Sequence, residues 1–324
     1  MHGIRKDYQQ AFHTCIPQNF LYFTICLFTK AVFQNNMSLM SIVIKSCSDL
    51  VSILPHQDIT SPQSFIIDTC EKLSDLLITW LTLLLFETFL VINCLHLRSF
   101  PSLQEAGSHL QSLGISCGDE VLLTRLQSCT SLSSLSIDQC PNLKSIPDLR
   151  ELYSLTHLSI FNCQTLKLAC LPELLACFTS LKYLKINGFC EELDVFPSLR
   201  LSSIQYLHTS LETLLLHGWP NVNSLLNKIQ HFTALKHLLI LCFDGLEALS
   251  EWLCNLSSIQ RLDIWSCVNL MYLPTLQAMQ RLTKLESLTT LFCPKLKERC
   301  ARGSRAEWSK IANIPHVTIQ SIEQ

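Results

Sequence analysis

The sequence predicts an α/β solenoid of stacked strand-and-turn copies, curved into a horseshoe with a parallel sheet along its concave face. One short phrase recurs about eleven times: apolar, two variable, apolar, one variable, apolar, two variable, then usually cysteine. Leu132-Ser-Ser-Leu135-Ser-Ile137-Asp-Gln-Cys140 is one copy, followed by Leu143 and Ile146-Pro147. Ile259-Gln-Arg-Leu262-Asp-Ile264-Trp-Ser-Cys267 is another, followed by Leu270 and Leu273-Pro274. The phase marker falls at Cys47, Cys70, Cys94, Gly118, Cys140, Cys163, Cys190, Trp219, Phe243, Cys267 and Cys293, at intervals of 22 to 29 residues. A period of this size describes units that cannot bury their apolar faces alone and must stack.

Each part of the phrase predicts one element. Alternation at Leu135 and Ile137, Leu158 and Ile160, or Leu262 and Ile264 is the period-two signature of a short strand. After the cysteine slot the apolar spacing becomes three, so the chain turns and returns on the outer side. Pro55, Pro101, Pro147, Pro197 and Pro274 close copies there, where a missing N–H breaks no strand pairing. The slot residue suits cysteine, which is small, readily buried and a weak donor. Trp219 and Phe243 cannot imitate that bond, so the ladder is expected to be irregular at both. The two longest intervals surround Cys190, where Gly188 admits an extra residue and the effect should stay local.

The expected organisation has three parts. Residues 1–37 fit the frame poorly, although Leu21, Phe23 and Cys26 could be a degraded copy. Residues 38–303 carry the repeats, and residues 304–324 form a capping helix and strand. Ser304 and Glu307 match an S-x-x-E capping box, followed by Trp308, Ile311 and Ile314 at helical spacing and then Pro315. Val317 and Ile319 alternate like a last strand.

Composition narrows the function. Of 324 residues, 48% are hydrophobic and 15% charged, and the formal net charge is −2, which argues against binding nucleic acid or an anionic membrane by bulk charge. Eight of the 17 cysteines occupy the repeat slot, no Cys-x2-Cys pair exists, and a reduced intracellular protein with buried thiols follows. Leu76 to Leu95 is apolar enough to suggest a membrane span, but the repeat register runs through it and Glu87 interrupts it.

The phrase L-x-x-L-x-I-x-x-C-x-x-L-x-x-[LFI]-P is joined near the end to Leu296–Cys300 and to Glu307, Trp308, Lys310, Ile311, Ile314 and Pro315. Together these resemble the C-terminal leucine-rich-repeat region of plant coiled-coil-type nucleotide-binding leucine-rich-repeat disease-resistance proteins. The resemblance covers roughly residues 38–324. It implies a cytoplasmic or nuclear module that recognises pathogen effectors or guarded host proteins, or that restrains a nucleotide-binding switch. The family's switch domain has no counterpart here, because no G-x-x-x-x-G-K-[ST] loop occurs among only eight glycines. Nucleotide binding is therefore not carried over, and a truncated receptor fragment is the expectation.

Outward strand positions supply the candidate partner-binding residues: His157, Phe161, Tyr183, Lys185, His217, His237, Arg261, Asp263 and Trp265, with Ser159 and Asn187 beside them. Aromatic and arginine side chains on a solvent-facing sheet are the anchors favoured at protein interfaces. No cofactor, metal or catalytic residue is expected. The histidines recur by register, and no acid or thiol stands at nucleophile spacing from them. Two other classes fit less well. An extracellular receptor or inhibitor would use the sequons Asn36-Met-Ser38 and Asn255-Leu-Ser257. A protein-turnover adaptor would need an F-box, for which residues 1–37 are too few.

Overall fold

The structure, a computed structural model, describes residues 20–24, 30–33, 41–55, 63–76, 86–94, 96–97, 109–116, 126–146, 149–166, 175–187, 206–218, 222–225, 227–300 and 307–320. It divides into two compact units, Met1–Ser154 and Leu155–Gln324.

In the first unit the strands are β1 (Phe20–Thr24), β2 (Lys30–Phe33), β3 (Ser41–Lys45), β4 (Ser52–Pro55), β5 (Ser64–Asp68), β6 (Asp75–Leu76), β7 (Thr88–Ile92), β8 (Ser112–Ile115) and β9 (Ser134–Asp138). β1, β3, β5, β7, β8 and β9 pair in that order, all parallel, each strand's first residue opposite the next strand's first: Phe20, Ser41, Ser64, Thr88, Ser112, Ser134. β2, β4 and β6 form a second, smaller parallel sheet. The degraded copy at Leu21 and Phe23 coincides with β1. Pro55 pairs with Phe33 at the end of β4, so the return segment is itself a short strand where the sequence suggested an unpaired turn.

The second unit contains β10 (His157–Phe161), β11 (Tyr183–Asn187), β12 (Thr213–His217), β13 (His237–Leu241), β14 (Arg261–Trp265), β15 (Ser287–Leu291) and β16 (His316–Gln320). These too are parallel, in sequence order, with first residues aligned. Connections run through short helical segments: Leu207–Ser210, Asn227–His231, Glu251–Asn255, Leu276–Met279, Pro294–Cys300 and Trp308–Ile311. The fold is a parallel-sheet leucine-rich-repeat solenoid. Among the described residues its core strands number thirteen, six in the first unit and seven in the second, and exceed the eleven phase markers by one at either end.

The second and fourth residues of the five-residue strands from β3 to β15, such as Leu135 and Ile137 or Leu262 and Ile264, are buried among the described side chains, whereas Val317 and Ile319 of the terminal β16 are half-buried. Burying a leucine of this kind contributes about 1.5–3 kcal/mol. Phe86 and Phe89 are fully buried, and Phe65 stacks on Phe89 at 5.5 Å. The apolar stretch that suggested a membrane span is thus, in its described part, strand and core. Among the described residues no helix is long and apolar enough to cross a membrane.

Two local devices turn the chain at the described slots. The residue before the slot adopts the left-handed conformation in nine copies: Ser46, Thr69, Asn93, Gln139, Asn162, Gly218, Cys242, Ser266 and Phe292, with φ between 49° and 57°. The slot carbonyl then accepts from the amide three residues on, as from Leu50 to Cys47, Leu166 to Cys163 and Leu270 to Cys267, except at Cys293, which leads into the helix Pro294–Cys300 and accepts from Lys297. The thiols of Cys47, Cys70, Cys94, Cys140, Cys163, Cys267 and Cys293 reach back to the carbonyl two residues earlier at 3.3–3.7 Å. Phe243, in the same slot, is fully buried and keeps the turn, because Leu246 N–H still donates to its carbonyl. The backbone is therefore regular there, and only the thiol bond is missing. Gly118, Cys190 and Trp219 lie outside the described residues.

At the C-terminal end Glu307, the described member of the expected capping box, bonds a distant segment. Glu307 precedes the helix Trp308–Ile311 but makes no side-chain cap to it. Its buried carboxylate accepts from Leu273 N–H at 2.8 Å, while Lys310 Nζ donates both to Glu307 and to the Leu273 carbonyl at 3.0 Å. Leu273 belongs to the outer run of an earlier repeat, beside the bridge between Ala248 and Tyr272. The two side chains thus supply the acceptor and donor that a neighbouring repeat's backbone would offer. Ser304 lies outside the described residues.

Candidate protein-interaction face

The first, third and fifth residues of each strand stand on the side of the sheet away from the core. In the second unit this places His157, Phe161, Tyr183, Lys185, His217, His237, Arg261, Asp263 and Trp265 on one face, as the phrase predicted. Asn187 is the last residue of β11.

Register joins them into two clusters. The first spans β10 to β12. Lys185 Nζ lies 3.8 Å from the centre of the Phe161 ring, a cation–π contact, and the same ring meets His217 edge-on at 5.0 Å. Tyr183 stacks on His157 at 5.7 Å, and His157 Nδ1 bonds Thr156 Oγ1 at 2.8 Å. Burial, and secondarily the Lys185 charge, lower the His217 pKa below its usual value, so this imidazole is neutral at pH 7. Burial raises the Tyr183 phenol, which stays protonated.

The second cluster spans β13 and β14. Asp263 was expected to face solvent, but its side chain is only 1% exposed. It stands between Leu239 and Thr289 in the strand register, and two longer side chains cover it. Its Oδ2 accepts from Arg261 Nε at 2.7 Å and pairs with His237 Nε2 at 2.8 Å. A buried carboxylate is costly unless paired, and Arg261 supplies the compensating charge. Trp265 continues the face one step on; its indole N–H is buried with no partner among the described residues.

Register alone was enough to bring Arg261 and Asp263 together, since residues two apart on a strand share a face. The burial of Asp263 was not legible, because it depends on how the Arg261 side chain folds over it. Sequence reasoning also passed over Leu239, which is 8% exposed and floors the face beside Asp263. Its signal was a third apolar residue inside the strand Leu238-Leu239-Ile240. Among the described residues no group of three or more His, Cys, Asp or Glu side chains is arranged to hold a metal.

Part of this face, from His217 to Trp265, lies within the stretch that comparison with known families picks out. Residues 217–290 match a family model described as R13L1/DRL21 leucine-rich repeats. No curated protein matches the chain. Similar solved structures include the leucine-rich repeat domain of the type III effector XopL, at 15% identity and a TM-score of 0.35, covering 98% of this chain and 82% of that one. An internalin (inlF) from Listeria monocytogenes is similar at 12% identity and a TM-score of 0.41, covering 88% of this chain and 83% of the other.

Proposed function

We propose that this chain is a non-enzymatic protein-binding module of plant innate immunity, which recognises a pathogen effector or guarded host protein or restrains a nucleotide-binding switch. The observation that carries the binding role is the pair of clusters on the second unit's open sheet face. Aromatic rings, an arginine and a lysine are held there in fixed positions, and such residues dominate binding energy at protein interfaces. The family match at residues 217–290 and the Glu307–Ile314 tail, which resembles that of plant resistance receptors, support the immune setting. A cytoplasmic or nuclear site of action accords with the reduced, buried cysteines.

The test is to identify partners by proximity labelling in plant cells and then to measure direct binding with purified proteins. Trp265→Ala should abolish binding while leaving the melting temperature in place, and Arg261→Ala should abolish it at some cost in melting temperature, because Asp263 then stays buried without its counter-charge. Loss of folding in both variants, or unchanged binding, would refute the assignment. One observation favours an extracellular role: Asn255 of the sequon is exposed, although its amide donates to Gln230 Oε1 at 2.8 Å. A mass shift on glycosidase treatment of the plant-expressed protein would decide for that reading.

A further inference from the structure

We propose that the open face of β10–β14 takes an acidic polypeptide segment, one of whose carboxylates seats on the outward nitrogens of Arg261. This rests on the reading of that face as a protein-binding surface.

The charges on the face are one-sided. Among the described side chains at first, third and fifth strand positions of the second unit, the only carboxylate is Asp263. It is buried and its charge is consumed by Arg261. The exposed charges that remain are cationic, Lys185 and the far end of Arg261. At the adjoining edge, Glu212 is shared between Lys236 at 2.7 Å and Lys182 at 3.9 Å, so it offers little repulsion to an acidic ligand, and Glu286 stands farther along on β15's edge. The equivalent strand positions in the first unit are chiefly small hydroxyls and aliphatics, such as Ser64, Ile66, Thr88, Leu90, Ser112 and Ser134. Among the described side chains there, Lys45, Asp68 and Asp138 are the charged ones, so cations combine with aromatic rings at these positions in the second unit.

Arg261 is also oriented for the task. Asp263 holds it through Nε, the inner nitrogen, while 53% of the side chain stays exposed. The two outer nitrogens bond no described residue. A guanidinium fixed this way presents a planar fork matched to a second carboxylate, with part of its ordering cost already met. Lys185, held over Phe161, makes no ion pair among the described residues and offers a second positive point. It lies three strands away and two residues along, about 15 Å at the usual strand spacing and rise. An extended segment covers that distance in about four or five residues, so two acidic residues at that separation would meet both cations.

The experiment is selection of a phage-displayed random peptide library on the full chain, followed by anisotropy titration of the enriched peptides. Enrichment of peptides with acidic residues four or five apart is expected. Arg261→Ala and Lys185→Ala should each weaken them by about tenfold or more, with Arg261→Lys intermediate. Affinity should fall as NaCl rises from about 0.05 to about 0.3 M. Lys185 is remote from Asp263, so its variant keeps the test valid should Arg261→Ala unsettle the fold. Enriched peptides without acidic bias that still depend on Trp265 would overturn the inference and leave the protein-binding reading standing. No peptide sensitive to Trp265, Arg261 or Lys185 would overturn both. Tight binding of a single-stranded oligouridylate, lost in Arg261→Ala, would replace the acidic segment with nucleic acid and overturn the inference as well.

Discussion

Glu307 accepts a hydrogen bond from the amide of Leu273, and Lys310, one helical turn later, donates to the carbonyl of that same residue. Two side chains at the C-terminal helix thereby satisfy both backbone polar groups of one buried residue. The pair is nearly enclosed, with 4% and 18% of the side chains exposed. Removing one member leaves the other charge and a backbone group unmet, which costs about 3 kcal/mol. Glu307→Ala and Lys310→Ala should each lower the urea midpoint and speed hydrogen exchange at the Leu273 amide. Unchanged exchange there would show that the tail is not clipped to the repeat.

The left-handed residue before the slot sets a second expectation. Thr69 is β-branched yet holds φ 54°, a conformation that costs an ordinary residue about 1–2 kcal/mol. Thr69→Gly should stabilise the protein by about 1 kcal/mol, since its Oγ bond to Asp68 is exposed. Gly218→Val, at φ 57°, should do the reverse. Chemical denaturation of both variants checks the sign.

His217 should make stability depend on pH. Its folded pKa lies below the ordinary 6.5, through burial and then the Lys185 charge. Below pH 6.5 the unfolded chain therefore binds more protons than the folded one, and stability falls with pH until the folded pKa is passed. His208 acts in the same direction through burial and its neighbour His231. His217→Gln should flatten part of the loss between pH 6.5 and more acid values, measured by melting temperature across that window.

The cysteines give a labelling order. Cys70 is held protonated by the adjoining thiols of Cys47 and Cys94 and by burial, and Cys267 by Cys293 and burial. Burial likewise pushes Cys254 and Cys300 up to about 11. Among the described thiols only Cys177 and Cys242 are partly exposed. Iodoacetamide on the native protein should therefore modify these two before any described slot cysteine, as read by peptide mass mapping. In urea all should react alike.

The strands were legible because the alternation of Leu158 and Ile160 around His157, Ser159 and Phe161 leaves only one face to bury. The same alternation put all nine candidate side chains in the second unit on the opposite face. What stayed hidden depended on long side chains and on distant segments. Nothing local in Glu307 shows that it reaches back 34 residues to Leu273 instead of capping its own helix. Asp263 looks solvent-facing by register, and becomes buried only because Arg261 and His237 fold over it. The left-handed residues escaped notice because Ser46, Gln139, Cys242 and Phe292 share no side-chain chemistry, only a place in the turn.

Those same residues give the array a direction. The amide of Ser46 donates to Asp68, Thr69 to Ile92, Gly218 to Leu241, Cys242 to Trp265, Ser266 to Leu291 and Phe292 to Gln320, always toward the copy made later. On a translating ribosome each of these six turns therefore emerges with that donor unmet until the following strand leaves the exit tunnel. Acquisition of structure lags synthesis by one repeat, and within the described residues the lag ends when the carbonyl of Gln320 arrives.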